Sequence, residues 1–262
     1  MLNDPFDMQF DLHVEVDREK LRALTLQKHW DAWYGPSYVP HPDSKMGKFI
    51  SSNRARAQKL SREAFGEKFH HMSDNSLDNL IANLPNHHKE IRASIGTTKI
   101  LCLSAVGDSL PMWSYYAENH RGAVLRFKRH SDVDSLYPLA RAVTYTRQMP
   151  RLFDEETLSD IGAGLATTQS ADLIERLVYT KANAWKHEQE WRLFLGQGRT
   201  PDEAVEYLPF FALELDAVIL GCAMTDDCRM AVAELSRNLY PHTKVLRAAK
   251  SDRDFKLIIL EA

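Results

Sequence analysis

The hydrophobic periodicity changes character at Thr97, and that change restricts the chain to one broad class of fold. Before Thr97 the apolar residues recur at helical spacing; beyond it, the chain is mixed and rich in β-like runs. Asp17 is placed to cap a helix from Arg18 to about Trp33, with Leu21, Leu24 and Trp30 on one side and Gly35-Pro36 ending it. Ser44 to His70 reads as one long helix. Another begins at Asn75 or Ser76, is kinked or broken at Pro85 and ends at Gly96. Later strands are expected at 98–104, 123–127, 140–146, 189–195, 207–215, 217–220, 244–246 and 255–260, with helices at 112–119, 167–185 and 226–239. Gly122 suits the left-handed position that stops the first of these helices. Strands and helices do not alternate strictly, which argues against a doubly wound parallel sheet. The expected fold is α+β: a helical N-terminal third packed on a mixed, largely antiparallel β-sheet core. A single domain is expected over 1–262, with 16–96 as a helical insertion or lid and 97–262 as the strand-rich core.

Composition narrows the setting. A chain of 262 residues, 44% hydrophobic and 26% charged, has ample length for a core and ordinary globular balance. It has no apolar run near the roughly 18 residues that a membrane span needs, and Met1 to Asp7 lacks the regions of a secretory signal. Cys102, Cys222 and Cys228 form an odd, sparse set; the apolar surroundings of the first two fit reduced thiols in a cytoplasm. A net charge of −3 argues against a protein-wide nucleic-acid field. A local patch remains: the expected helix 45–68 carries Lys45, Lys48, Arg54, Arg56, Lys59, Arg62 and Lys68 against Glu63 and Glu67. It reads either as a solvated face or as a contact for nucleic acid or another acidic partner.

The chemistry-bearing stretch is Lys181 to Leu195. It starts with a helical pattern and ends with a strand on which Trp191, Leu193 and Leu195 share one face, while Glu188, Glu190 and Arg192 line the other. Two carboxylates two residues apart on a strand have their Cβ atoms roughly 7 Å apart, close enough to share a substrate or shift each other's protonation. The alternative is a solvated strand face or a row of ion pairs. A second constellation joins the strand end at Ser104 to an aromatic helix with Trp113, Tyr115 and Tyr116. An aromatic wall facing carboxylates can bind a flat cationic ring and stabilise positive charge on a sugar; alternatively the aromatics pack their helix on the sheet. No dinucleotide fingerprint, P-loop, HExxH or GxSxG motif occurs. His70-His71 and His87-His88 are adjacent pairs that cannot chelate one ion, so no metal is expected.

These residues resemble a bacterial family of unknown function, DUF2971. Asn3-Asp4-Pro5-Phe6-Asp7 is similar to its Asn-Asp-Pro-Phe element, and Met112-Trp113 through Tyr115-Tyr116-Ala117 to its Met-Trp-x-x-Tyr-Ala element. Lys181, Trp185, Glu188, Glu190, Trp191 and Arg192 resemble its Lys…Trp-x-x-Glu-x-Glu-Trp-Arg element, and Val218 to Gly221 its late strand and glycine. The motif order further resembles, distantly, an ADP-ribosyltransferase. That resemblance implies an ADP-ribosyltransferase-like fold and NAD as substrate, with Glu190 and Glu188 catalytic and Ser104, Trp113, Tyr115, Tyr116, Lys181 and Arg192 around the dinucleotide. It also implies a toxin or anti-phage defence effector acting on a protein or nucleic-acid target. Relatives carry an aromatic and basic strand before the Asn-Asp-Pro element, so weak NAD binding is expected of a chain beginning at this methionine. The rival expectation is a non-enzymatic protein- or nucleic-acid-binding module. A metal-independent nuclease using the basic helix and the same carboxylates is a third.

Overall fold

The computed structural model describes residues 4–5, 7–10, 16–168 and 171–261. Asn3 and Phe6 of the Asn-Asp-Pro-Phe element therefore lie outside the described residues. The chain divides into two compact units, one formed by 1–97 with 146–180 and the other by 98–145 with 181–262. The helical segment expected at 16–96 is thus joined by a later stretch of chain.

The first unit is helical. Helix α1 (Arg18–Tyr34) starts where expected, the Asp17 carboxylate accepting from the backbone N–H groups of Glu19 and Lys20. The single basic helix does not form. Helix α2 (Lys45–Asn53) is capped by Ser44 and followed by a 3-10 turn at Arg54–Arg56; α3 (Arg62–Gly96) then starts afresh on Ser61. The Ser51-Ser52-Asn53 end of α2 favours local side-chain bonds, and the Asn53 amide donates back to the Phe49 carbonyl at 2.8 Å. Helix α3 runs through both Asn75 and Pro85 as one element, so the expected start does not occur and Pro85 does not break the helix. Two more helices complete the unit: α5 (Glu155–Gly162), capped by Asp154, and α6 (Ala171–Val178). The sequence reading missed α5 and extended α6 to Trp185. Lys28 of α1 holds α5 through Glu156 and Asp160, each at 2.7 Å.

The second unit contains the sheets. Strand β1 (Ile100–Ser104) pairs antiparallel with β6 (Glu190–Phe194), which also pairs with the short β3 (Arg141–Ala142). A four-stranded sheet has the order β2 (Ala123–Phe127), β7 (Leu215–Leu220), β8 (Lys244–Lys250), β9 (Leu257–Glu261). Only β7 and β8 are parallel in it, joined by helix α7 (Asp226–Leu239). The expected strand at 207–215 is instead irregular chain ending in a 3-10 turn at Ala212–Glu214. The unit boundary falls within β4 (Thr144–Thr146) and β5 (Thr180–Ala182). The architecture is α+β with mixed, largely antiparallel sheets, as the sequence implies.

Helix α4 (Leu110–Tyr116) packs on the four-stranded sheet through Trp113 and is joined there by Ala217, Ile219, Leu246, Ala248 and Leu257. Glycine does not stop it in the left-handed conformation. Instead Glu118, Asn119 and His120 carry that conformation in succession, with φ of 49°, 53° and 66°. Gly221 makes room for this turn: a Cβ there would stand 2.1 Å from the His120 carbonyl oxygen. In return, the N–H groups of Gly221 and Ala223 donate to the Gly122 and His120 carbonyls.

Candidate functional site

The charged end of β6 faces inward, opposite to what apolar alternation suggests. Glu188, Glu190, Arg192 and Lys181 are buried, at 3%, 5%, 1% and 6% exposure, while Trp191 is 42% exposed. Alternation tells which residues share a face; which face is covered depends on what arrives above it. Here Lys181 of β5 arrives. Its ammonium donates to Glu188 Oε2 at 2.5 Å and to Glu190 Oε2 at 2.9 Å. The Arg192 guanidinium holds the same Glu190 carboxylate through Nε at 2.7 Å and Nη2 at 3.1 Å. Two cations and two carboxylates neutralise one another, which allows all four to leave water.

Local backbone geometry brings the glutamates together. Glu188 ends a 3-10 turn at Asn183–Glu188, and Gln189, with φ of 43°, turns the chain left-handed before β6 begins at Glu190. The Tyr145 hydroxyl accepts the Glu190 N–H at 2.8 Å, and the Glu190 carbonyl accepts from Val143 at 2.9 Å.

The second constellation meets the first. Ser104 is the cross-strand partner of Glu190, and its hydroxyl donates to the Glu188 carbonyl at 2.6 Å while accepting from Val106 N–H at 3.1 Å. The Tyr116 hydroxyl donates to Glu188 Oε1 at 2.8 Å. Tyr115 and Tyr116 keep more than half of their surface in solvent, and Tyr115 meets Trp185 edge-on at 6.4 Å. The Lys181 ammonium lies 5.3 Å from the centre of the Trp185 ring. Trp113 departs from the set named by the sequence: it is 2% exposed, and its indole N–H donates to the Gly107 carbonyl at 2.8 Å. Its ring is a core element of α4 and has no surface to offer a ligand.

The electrostatics follow from burial against pairing. Burial alone would raise the Glu190 pKa, but the hydrogen bonds and charge of Arg192, the Lys181 ammonium and the Cys102 thiol outweigh it and lower the pKa, so Glu190 is held ionised. Burial alone would lower the Lys181 pKa, and its bonds to Glu188 and Glu190 reverse this and raise it. Burial pushes the Tyr145 phenol up. Tyr145 and Cys102 are members of the site that the sequence reading missed. Cys102 shares the parity of Ser104, which was the available signal; it is exposed rather than set in apolar surroundings, as is Cys228.

Two cations of the basic segment, Arg54 and Arg62, are occupied within the first unit. The Arg54 guanidinium donates to the Gly35 carbonyl and lies over the Tyr38 ring at 5.4 Å; Arg62 donates to Gln27 and lies over Trp30 at 5.8 Å.

Among the described residues, no group of three His, Cys, Asp or Glu side chains is placed to hold a metal, and no helix is long and apolar enough to cross a membrane. No curated protein and no solved structure matches the chain. Residues 112–193 match the family model of DUF2971, a protein family of unknown function. The match runs from α4 to β6 and takes in every candidate site residue except Cys102 and Ser104. Over this segment, from the aromatic helix to the charged strand, the chain carries the pattern of the DUF2971 family.

Proposed function

We propose that the Ser104–Glu190 strand pair, with Glu188 and Tyr116, forms an ADP-ribosyltransferase-like site that acts on the nicotinamide–ribose bond of NAD. The observation that carries this reading is the meeting of the two constellations: Ser104 opposite Glu190, and Tyr116 hydrogen-bonded to Glu188. Breaking the nicotinamide–ribose bond leaves positive charge on the ribose ring, and a fixed anion beside it stabilises that transition state. Glu190 is such an anion, held ionised and oriented by Arg192 and Lys181. Rotation of Tyr116 off Glu188 exposes that carboxylate to position an acceptor hydroxyl or amine and take its proton. The exposed Tyr115 and Tyr116 rings offer the stacking surface for a flat base. In this reading the target is a protein or nucleic acid, and the biological setting a toxin or defence effector.

A second reading has its own observation. All four charged groups are at most 6% exposed and are saturated by one another, which favours a structural lock in a non-enzymatic binding module. Nicotinamide release from NAD decides between them. The wild-type chain should release nicotinamide, Glu190→Gln should abolish the release, and Tyr116→Phe, which keeps the ring but removes the bond to Glu188 Oε1, should alter the rate without unfolding the protein. No release by a folded wild type, with or without cell-extract acceptors, would leave only the module.

A further inference from the structure

The opposite face of β1 and β6 carries a feature that the charge cluster does not use. Leu101 and Leu103 of β1 line an open cleft of about 420 Å³, walled by Phe127, Tyr137 and Phe210. That volume lies within the range of small-molecule sites, roughly 300–1,000 Å³. The walls are aromatic and pack on one another, with Phe127 5.0 Å from Tyr137 and 5.1 Å from Phe210 between ring centres.

Lys99 precedes β1 with the parity of Leu101 and Leu103, and it too lines the cleft. It is 8% exposed. Its ammonium donates to the Glu203 carbonyl, and no carboxylate pairs with it among the described residues. The nearby Glu206 is committed elsewhere, accepting from Arg199 Nε at 2.5 Å and from the Arg199 backbone at 2.9 Å. An ammonium offers three donors, and a buried charge without a counter-ion is costly. A bound anion removes that cost, and the apolar walls require the rest of the ligand to be apolar.

We infer that this cleft binds an amphipathic carboxylate, its apolar or aromatic body against Leu101, Leu103 and Phe127 and its carboxylate on the Lys99 ammonium. The site is separate from the carboxylate cluster and does not depend on NAD chemistry. Calorimetry of the full chain with sodium octanoate, and with octan-1-ol as the neutral control, tests it. Octanoate should bind one saturable site at least tenfold more tightly than octanol, the usual gain from a charge-assisted hydrogen bond. Lys99→Met keeps the apolar stem and should lose that tenfold preference while melting no earlier than wild type. Lys99→Arg should retain it, and Leu103→Trp, which fills the cleft, should abolish binding of both ligands. The inference is overturned if octanol binds as tightly as octanoate, if Lys99→Met or Leu103→Trp leaves octanoate binding unchanged, or if neither ligand saturates.

Discussion

Lys181→Met tests how the buried cluster is held. Lys181 is the cation shared by both glutamates, and the side chains of the three residues are 4–5% exposed. Its removal leaves Glu188 with the Tyr116 hydroxyl as its remaining side-chain partner among these bonds, and Glu190 with Arg192. Breaking a buried ion pair by deleting one partner costs about 3–5 kcal/mol. The buried carboxylate can avoid that cost by taking up a proton. Holding a carboxyl of ordinary pKa near 4.3 protonated at pH 7 costs about 3.7 kcal/mol, and at pH 5 about 1 kcal/mol. The two routes agree at neutral pH and diverge in acid. In the wild type, the raised Lys181 pKa gives stability that is present below the ordinary lysine value and lost as pH rises through the folded one. The lowered Glu190 pKa gives stability present above the ordinary carboxylate value and lost as pH falls through the folded one. Both contributions are in place between about pH 5 and pH 7, so the difference between the proteins in that window reports the newly protonated carboxyl. Urea denaturation of wild type and variant should therefore show a loss of about 3–4 kcal/mol at pH 7 that shrinks toward about 1 kcal/mol at pH 5. Adding Glu188→Gln should recover part of the loss at pH 7. A loss below about 1 kcal/mol at pH 7, or one equal at both pH values, would refute the reasoning.

Other perturbations read different parts of the fold. Gly221→Ala places a Cβ 2.1 Å from the His120 carbonyl oxygen and should cost about 3 kcal/mol, measured by thermal melting. Trp191→Ala should cost only roughly 1–2 kcal/mol in urea denaturation, because the ring is 42% exposed. Burial lowers the His29 pKa to about 4. Folding therefore binds fewer protons than unfolding between about pH 4 and the ordinary histidine value near 6.5, and stability rises with pH across that window. His29→Gln should flatten that rise by about 3 kcal/mol in denaturation curves taken at several pH values.

The elements that could be read from sequence are those with strong local signals. Helix α7 begins and ends where its pattern does, because Thr225 caps it and the acidic pair Asp226-Asp227 suits its first turn. Strand β2 is likewise bounded as its apolar run implies. The long basic helix was misread because a run of compatible residues does not reveal that Ser61 starts a second helix. The site residues could be named from their motifs, but their burial could not. Trp and Leu alternating with Glu and Arg normally marks the apolar face as the inner one. The structure inverts that at Trp191 because Lys181, distant from Arg192 in pattern though close in sequence, supplies the charge that makes Glu188 and Glu190 soluble in the interior. Nor could the turn after α4 be foreseen, since Glu118, Asn119 and His120 adopt a conformation that Gly122 was the obvious candidate to supply.

The two faces of β1 and β6 impose a requirement on register. Cys102, Ser104, Glu190 and Arg192 stand on one face and Leu101, Leu103 and Trp191 on the other, each one residue from its opposite. A slip of β6 by one position would turn its ions toward the apolar cleft and Trp191 and Leu193 toward Lys181. Apolar burial discriminates weakly here, because Trp191 is largely exposed while Leu193 beside it is 1% exposed. The charge cluster discriminates strongly. Lys181 bonds both glutamates with this face of β6 turned toward it, and the left-handed Gln189 ties the start of β6 to the end of the preceding turn. Buried ion pairs rarely add net stability over apolar packing, and their best attested use is to select one arrangement among near alternatives. On that argument the Lys181–Glu188–Glu190–Arg192 set fixes which face of β6 meets Lys181, and the bond from the Ser104 hydroxyl to the Glu188 carbonyl ties the pairing of β1 to that face. Ser104 is set opposite Glu190 as a consequence of that pairing, whatever chemistry the two then perform.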